Sequence, residues 1–126
     1  TNLEIEHILP NKPEDDLRDK WATENSGLVY EDYKNRLGNL TLLEKPINIV
    51  AGNDFYTGKQ VEYSKSGNYL TRSLVALTDV GQNTSISRIN AKLEAFPAWN
   101  SASIEKRHAM LIALAKDVWK TYSIDV

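Results

Sequence analysis

The chain has 126 residues, a net charge of −2, 41% hydrophobic and 25% charged residues, the balance of one globular domain with a real core. It lacks cysteine, which excludes disulfides, zinc–thiolate sites and cysteine nucleophiles together and fits a reducing cytoplasm. No apolar run approaches the roughly 20 residues of a membrane span, and no signal-peptide pattern opens the chain.

Charge is unevenly spread. Residues 1–33 carry nine acidic side chains against three basic ones, whereas residues 34–72 carry six basic against three acidic. A mildly basic centre suits phosphate; an ordinary solvated surface explains it equally well. The chain starts at Thr1 inside an apolar segment and is expected to be a domain, residues 1–126, cut from a longer protein.

In chain order, "LEIEHIL" alternates imperfectly and predicts a short strand ending near Pro10, which cannot donate to a ladder. "NKPEDDLRDKW" predicts a loop feeding a helix, with Asp15, Asp16 or the residues before them as cap and Leu17 and Trp21 on one face. "ENSG" is a break, and "LVYEDYKNR" carries no assignable pattern. Gly38-Asn39 is turn chemistry, and Leu40–Leu43 predicts a second strand. Pro46 suits the first turn of a helix. Residues 59–77 look helical with an interruption at Ser66-Gly67, and another helix is expected from Thr84 or Ser85 to Leu93. The last element is the clearest: Ile104, His108, Leu111, Ala115, Val118 and Tyr122 form a stripe at helical spacing, with Asn100 or Ser101 as N-cap.

The polar residues around the two strands come in a telling order. Glu6-His7 closes the first strand, Asn39 precedes the second, and Asn48 and then Lys59 follow. A strand–turn–strand followed by a helix brings such residues towards one face. Imidazole takes a proton from water near neutral pH, and a hard divalent cation held by one or two protein oxygens stabilises a leaving oxygen. That is the chemistry of phosphodiester hydrolysis.

"EHILP", "LGNLTLL", the "IN" at 47–48, "GNDFYTGK" and "WNSASIEKR…W" resemble the HNH (His-Me finger) nucleases, and within them the C-terminal nuclease domain of GmrSD-type modification-dependent restriction enzymes. The resemblance spans Glu6 to Trp119. It implies an α+β, mostly helical fold: a ββα-metal finger embedded in surrounding helices. His7 would be the general base, Glu6 and Asn48 the ligands of a single Mg²⁺ or Mn²⁺, and Asn39 the residue that holds the loop and orients the base. Lys59 would contact phosphate, and Arg107 would do likewise or brace the site. Asn53 is the rival ligand to Asn48, and Lys65 and Arg72 are possible DNA contacts that equally suit a solvated helix face.

The implied activity is a metal-dependent DNA endonuclease or nickase leaving 5′-phosphate and 3′-hydroxyl ends. Its implied setting is bacterial, cytoplasmic anti-phage defence, governed by an N-terminal NTP-using sensor. Two other readings stand beside it: a catalytically silent DNA-binding module on the same fold, and a helical protein-interaction domain. His108 is expected in the core or at its rim, and Trp21, Trp99 and Trp119 as packing residues. Regular strand alternation would send Glu6 and His7 to opposite faces, so a shared site requires the strand to end or bend there.

Overall fold

Short runs rich in leucine and isoleucine form the two strands of the computed structural model, which describes residues 2–52, 55–75 and 93–122, with side chains to Trp119. Strand β1 spans Leu3–His7 and β2 spans Leu40–Glu44, paired antiparallel with Glu6 opposite Thr41 and His7 opposite Leu40. Directly opposed residues share a face. Glu6 and Thr41 therefore point inward, both under one-tenth exposed, while Ile5 and Leu42 point outward and stay exposed. The usual pattern is inverted: β1 buries a glutamate and exposes its isoleucine.

Helix α1, Asp15–Glu24, carries Asp15 and Asp16 in its first turn, where carboxylates favour the helix dipole; its N-cap position is Glu14, without a side-chain cap. The segment with no assignable pattern forms α2, Tyr30–Lys34, because Tyr30 and Tyr33 fall on one face and both meet Trp21, ring centroids 5.5 and 5.4 Å away. A 3₁₀ turn, Leu37–Asn39, leads into β2. Helix α3, Lys45–Ala51, starts with Pro46 in its first turn and packs on both strands. Then come α4, Tyr56–Tyr63, and α5, Tyr69–Arg72, separated at the expected interruption. Asn68 caps α5 by accepting from the Leu70 N–H.

Helix α6, Ser101–Tyr122, is the longest element. Asn100 Oδ1 accepts the Ser103 N–H at 2.9 Å, the cap foreseen in the sequence. Its buried face differs from the expected stripe. Ile104, Arg107 and Leu114 are buried and His108 and Leu111 half-buried, but Ala115 and Val118 are exposed. Trp119 is 74% exposed, so among the three tryptophans it is not a packing residue here. The helix expected from residue 84 or 85 lies outside the described residues, save Leu93.

Two apolar clusters meet at the end of β1. Ile8 enters one, with Leu43, Tyr56, Tyr63, Leu74 and Phe96; Leu9 enters the other, with Trp21, Tyr30, Tyr33 and Ile104. Trp99 packs against both. Successive residues after His7 are thus anchored on opposite sides, which fixes the direction in which the chain leaves the strand.

Candidate active site

His7 ends β1 and is half-buried. Its Nε2 lies 3.1 Å from Asn35 Oδ1, just beyond α2. With Oδ1 as acceptor, Nε2 carries the proton and the Nδ1 lone pair is left basic. Among the described residues no protein group bonds Nδ1.

The backbone behind His7 is gripped by Asn39, which is fully buried. Asn39 Oδ1 accepts from the Leu9 N–H at 2.7 Å and from Trp99 Nε1 at 2.9 Å. Its Nδ2 donates to the carbonyls of Leu9 and Lys34, at 3.1 and 2.7 Å. The Ile8 N–H donates to the Asn39 carbonyl at 2.9 Å. One carboxamide therefore ties together the strand end, the last residue of α2, and Trp99. All of its hydrogen-bonding capacity is spent inside the protein, so it acts by holding.

The approach of α6 to this turn demands glycine at 38. A β-carbon there would lie 2.1 Å from the Ile104 carbonyl oxygen and 2.7 Å from the His108 nitrogen. Arg107, also buried, donates from Nη1 to the carbonyls of Gly38 and Leu40 at 3.0 and 2.7 Å. Burial pushes its guanidinium down to about 10, opposed by the nearby Tyr63 and Tyr56 hydroxyls, so it remains charged at neutral pH. Arg107 thus braces the turn carrying Asn39 and is not placed at a surface where phosphate would reach it. With Ile5, Leu37, Leu42, Leu70 and Leu111 it lines a recess of about 310 Å³.

On the other face of the sheet, Glu6 Oε2 accepts from the Tyr63 hydroxyl at 2.7 Å and pairs with Lys59 Nζ at 3.1 Å. Burial, with the Glu6 carboxylate beside it, pushes the Tyr63 hydroxyl far above its usual range and keeps it a donor. Lys59 also donates to the carbonyls of His7, at 2.8 Å, and Ile8, at 3.4 Å. Its side chain is 1% exposed. Lys59, expected at phosphate, is instead inside the protein. The sequence held a signal for this: Tyr56, Lys59 and Tyr63 lie three and four residues apart, one face of α4.

The strand runs regularly through His7, so the side chains of Glu6 and His7 take opposite faces and are not brought together. Asn48 sits half-buried on α3, with no side-chain hydrogen bond among the described residues, and Asn53 lies outside them. Lys65 is exposed and pairs with Glu62 at 3.0 Å. Arg72 donates to the Ser66 carbonyl at 3.1 Å and lies over the Tyr69 ring. Sequence reasoning missed Asn35 and Tyr63, and saw only packing in Trp99.

A divalent cation requires oxygens free to point at it. Glu6 Oε2 already takes a hydroxyl and an ammonium, and among the described residues no three His, Asp or Glu side chains cluster as metal ligands. In this arrangement the residues do not fit a metal ion at Glu6.

The fold and site together define an α+β domain in which a partly exposed histidine ends a two-stranded sheet and an internal asparagine clamps the chain behind it. The family model for GmrSD restriction endonucleases, C-terminal domain, matches residues 1–114, and the chain belongs to that family. No curated protein and no solved structure matches it. No helix among the described residues is long and apolar enough to cross a membrane.

Proposed function

We propose that this domain is the DNA-cutting part of a restriction endonuclease, with His7 as general base. Membership of the family supports the nuclease reading. The observation that carries the role of His7 is its setting: a half-exposed imidazole, one nitrogen engaged by Asn35, on a strand end fastened by the buried Asn39. In the reaction, His7 Nδ1 takes a proton from water, and the hydroxide oxygen attacks phosphorus. The bond from phosphorus to the 3′ oxygen breaks, and solvent protonates that oxygen, leaving 5′-phosphate and 3′-hydroxyl ends.

The ββα-metal finger belongs to this proposal; the antiparallel pair β1–β2 followed by α3 is compatible with it. So does the single Mg²⁺ or Mn²⁺, which when bound would supply charge at the leaving oxygen. Its seat is not Glu6 Oε2, which Tyr63 and Lys59 occupy. The remainder follows from the family resemblance: DNA as substrate, an N-terminal NTP-using sensor, and a bacterial, cytoplasmic anti-phage role as nickase or double-strand cutter.

The neutralised Glu6 favours one second reading, a module that binds DNA without cutting it. The chemistry of the ends separates the two. Cleaved plasmid that DNA ligase reseals without prior end treatment supports the proposal. A gel shift of duplex DNA with no new ends, from the full-length protein as well as this domain, supports the silent module.

A further inference from the structure

The oxygens around Glu6 already surround a cation. Lys59 Nζ lies 3.1 Å from Glu6 Oε2, 2.8 Å from the His7 carbonyl oxygen and 3.4 Å from that of Ile8. The three oxygens come from consecutive residues at the end of β1. Carboxylate and carbonyl oxygens are also what a hard divalent ion takes. A metal at Glu6 Oε2 would stand against the ammonium in a region where both side chains are almost wholly buried and water screens little.

We propose that Lys59 is the built-in cation of this site. Its ammonium neutralises Glu6 and holds the His7–Ile8 backbone from the carbonyl side, as Asn39 holds the following residues from the amide side. Lys59 is thus a positioning residue for His7, and Glu6 binds no divalent ion while Lys59 stays in place. Neither residue contacts phosphate. The inference deepens the reading of His7 as the base, but its metal half stands independently of any cleavage.

The test reads Mn²⁺ at Tyr63, whose hydroxyl touches Glu6. A bound Mn²⁺ broadens proton signals near it, so the Tyr63 ring reports a metal at Glu6 even though it is buried. Mn²⁺ is titrated into the wild-type domain, alone and with a duplex of uncleavable linkages, and into Glu6→Gln, with Tyr69 as the half-buried reference. Tyr63 lines that broaden no more than those of Tyr69, and equally in both proteins, are the expected result. Selective broadening of Tyr63 in the wild type, lost in Glu6→Gln, overturns the proposal. The wild-type comparison decides alone if the variant does not fold.

A second arm uses the doubly neutral Glu6→Gln/Lys59→Met, which removes both charges together and so leaves neither one buried alone. An internal Lys59 leaves the slope of log DNA affinity against log salt unchanged, while kcat falls. A phosphate-contacting Lys59 reduces that slope by about one and overturns the proposal. If the wild type binds no DNA, the nuclease reading fails and the Mn²⁺ result still stands.

Discussion

Leu9 and Asn39 hold each other twice. The Leu9 N–H donates to Asn39 Oδ1 at 2.7 Å, and Asn39 Nδ2 donates back to the Leu9 carbonyl at 3.1 Å. The pair is buried, 30 residues apart in sequence, and lies two residues beyond His7. It is the side-chain equivalent of a strand pair, and it carries the chain past the end of the sheet without loss of register.

Asn39→Ala should therefore be costly. It leaves the Leu9 N–H, the Leu9 and Lys34 carbonyls and Trp99 Nε1 without this partner, each a buried or half-buried group worth about 1–3 kcal/mol when unpaired. Urea unfolding should show a loss of at least about 3 kcal/mol. A loss below about 1 kcal/mol would mean that water or a neighbour replaces the carboxamide.

Gly38→Ala tests the contact between the turn and α6. The new methyl would meet the Ile104 carbonyl, which is helix backbone and cannot rotate away. The turn or the helix must move, at about 1–3 kcal/mol or more. A melting temperature within a degree of wild type would show that the turn has room to shift.

Glu44 contributes to the pH dependence of stability. The Ser66 hydroxyl donates to its Oε1 and the Gly67 N–H to its Oε2, holding the carboxyl below its ordinary value of 4.5. A carboxylate with a lowered folded-state pKa stabilises above its unfolded value, and the benefit fades as pH falls from about 4.5 through the folded value. Glu44→Gln should lose on the order of 1 kcal/mol at pH 7, and the gap from wild type should close on acidification below pH 4. A gap that stays constant from pH 7 to 3 would rule out this contribution.

Asn35 is exposed and tests the orientation of His7 at little cost to the fold. Its bond to His7 lies at the surface, so Asn35→Ala should alter stability by no more than about 0.5 kcal/mol. With the imidazole no longer oriented, cleavage should fall roughly tenfold or more in kcat with KM little changed. Wild-type kcat in the variant would show that the contact does not orient the base.

What the sequence revealed, and what it concealed, follow from range. The strand pair, Pro46 in a helix start, the Asn100 cap and the break at Ser66-Gly67 rest on local preferences, and all appear. The resemblance puts Lys59 at phosphate, and nothing local in the sequence corrects that, since a lysine is rarely buried. Its burial rests on partners far away in sequence: Glu6, 53 residues earlier, and the carbonyls of His7 and Ile8. Trp119 is expected to pack as a large apolar ring, yet it is 74% exposed because it lies off the buried face of α6. The register opposing Glu6 to Thr41 settles which face each strand residue takes, and no pattern along one strand contains that.

The proposed reaction rests on His7 as the general base. Its most direct test is conversion of supercoiled plasmid to nicked or linear form, comparing the wild type with His7→Ala in Mg²⁺, in Mn²⁺ and in EDTA. A half-exposed side chain with one surface hydrogen bond leaves the fold unaffected when removed, so circular dichroism and melting should match. Cleavage by the wild type and none by His7→Ala is the expected result. Equal cleavage by the two proteins, with matching melts, would contradict it.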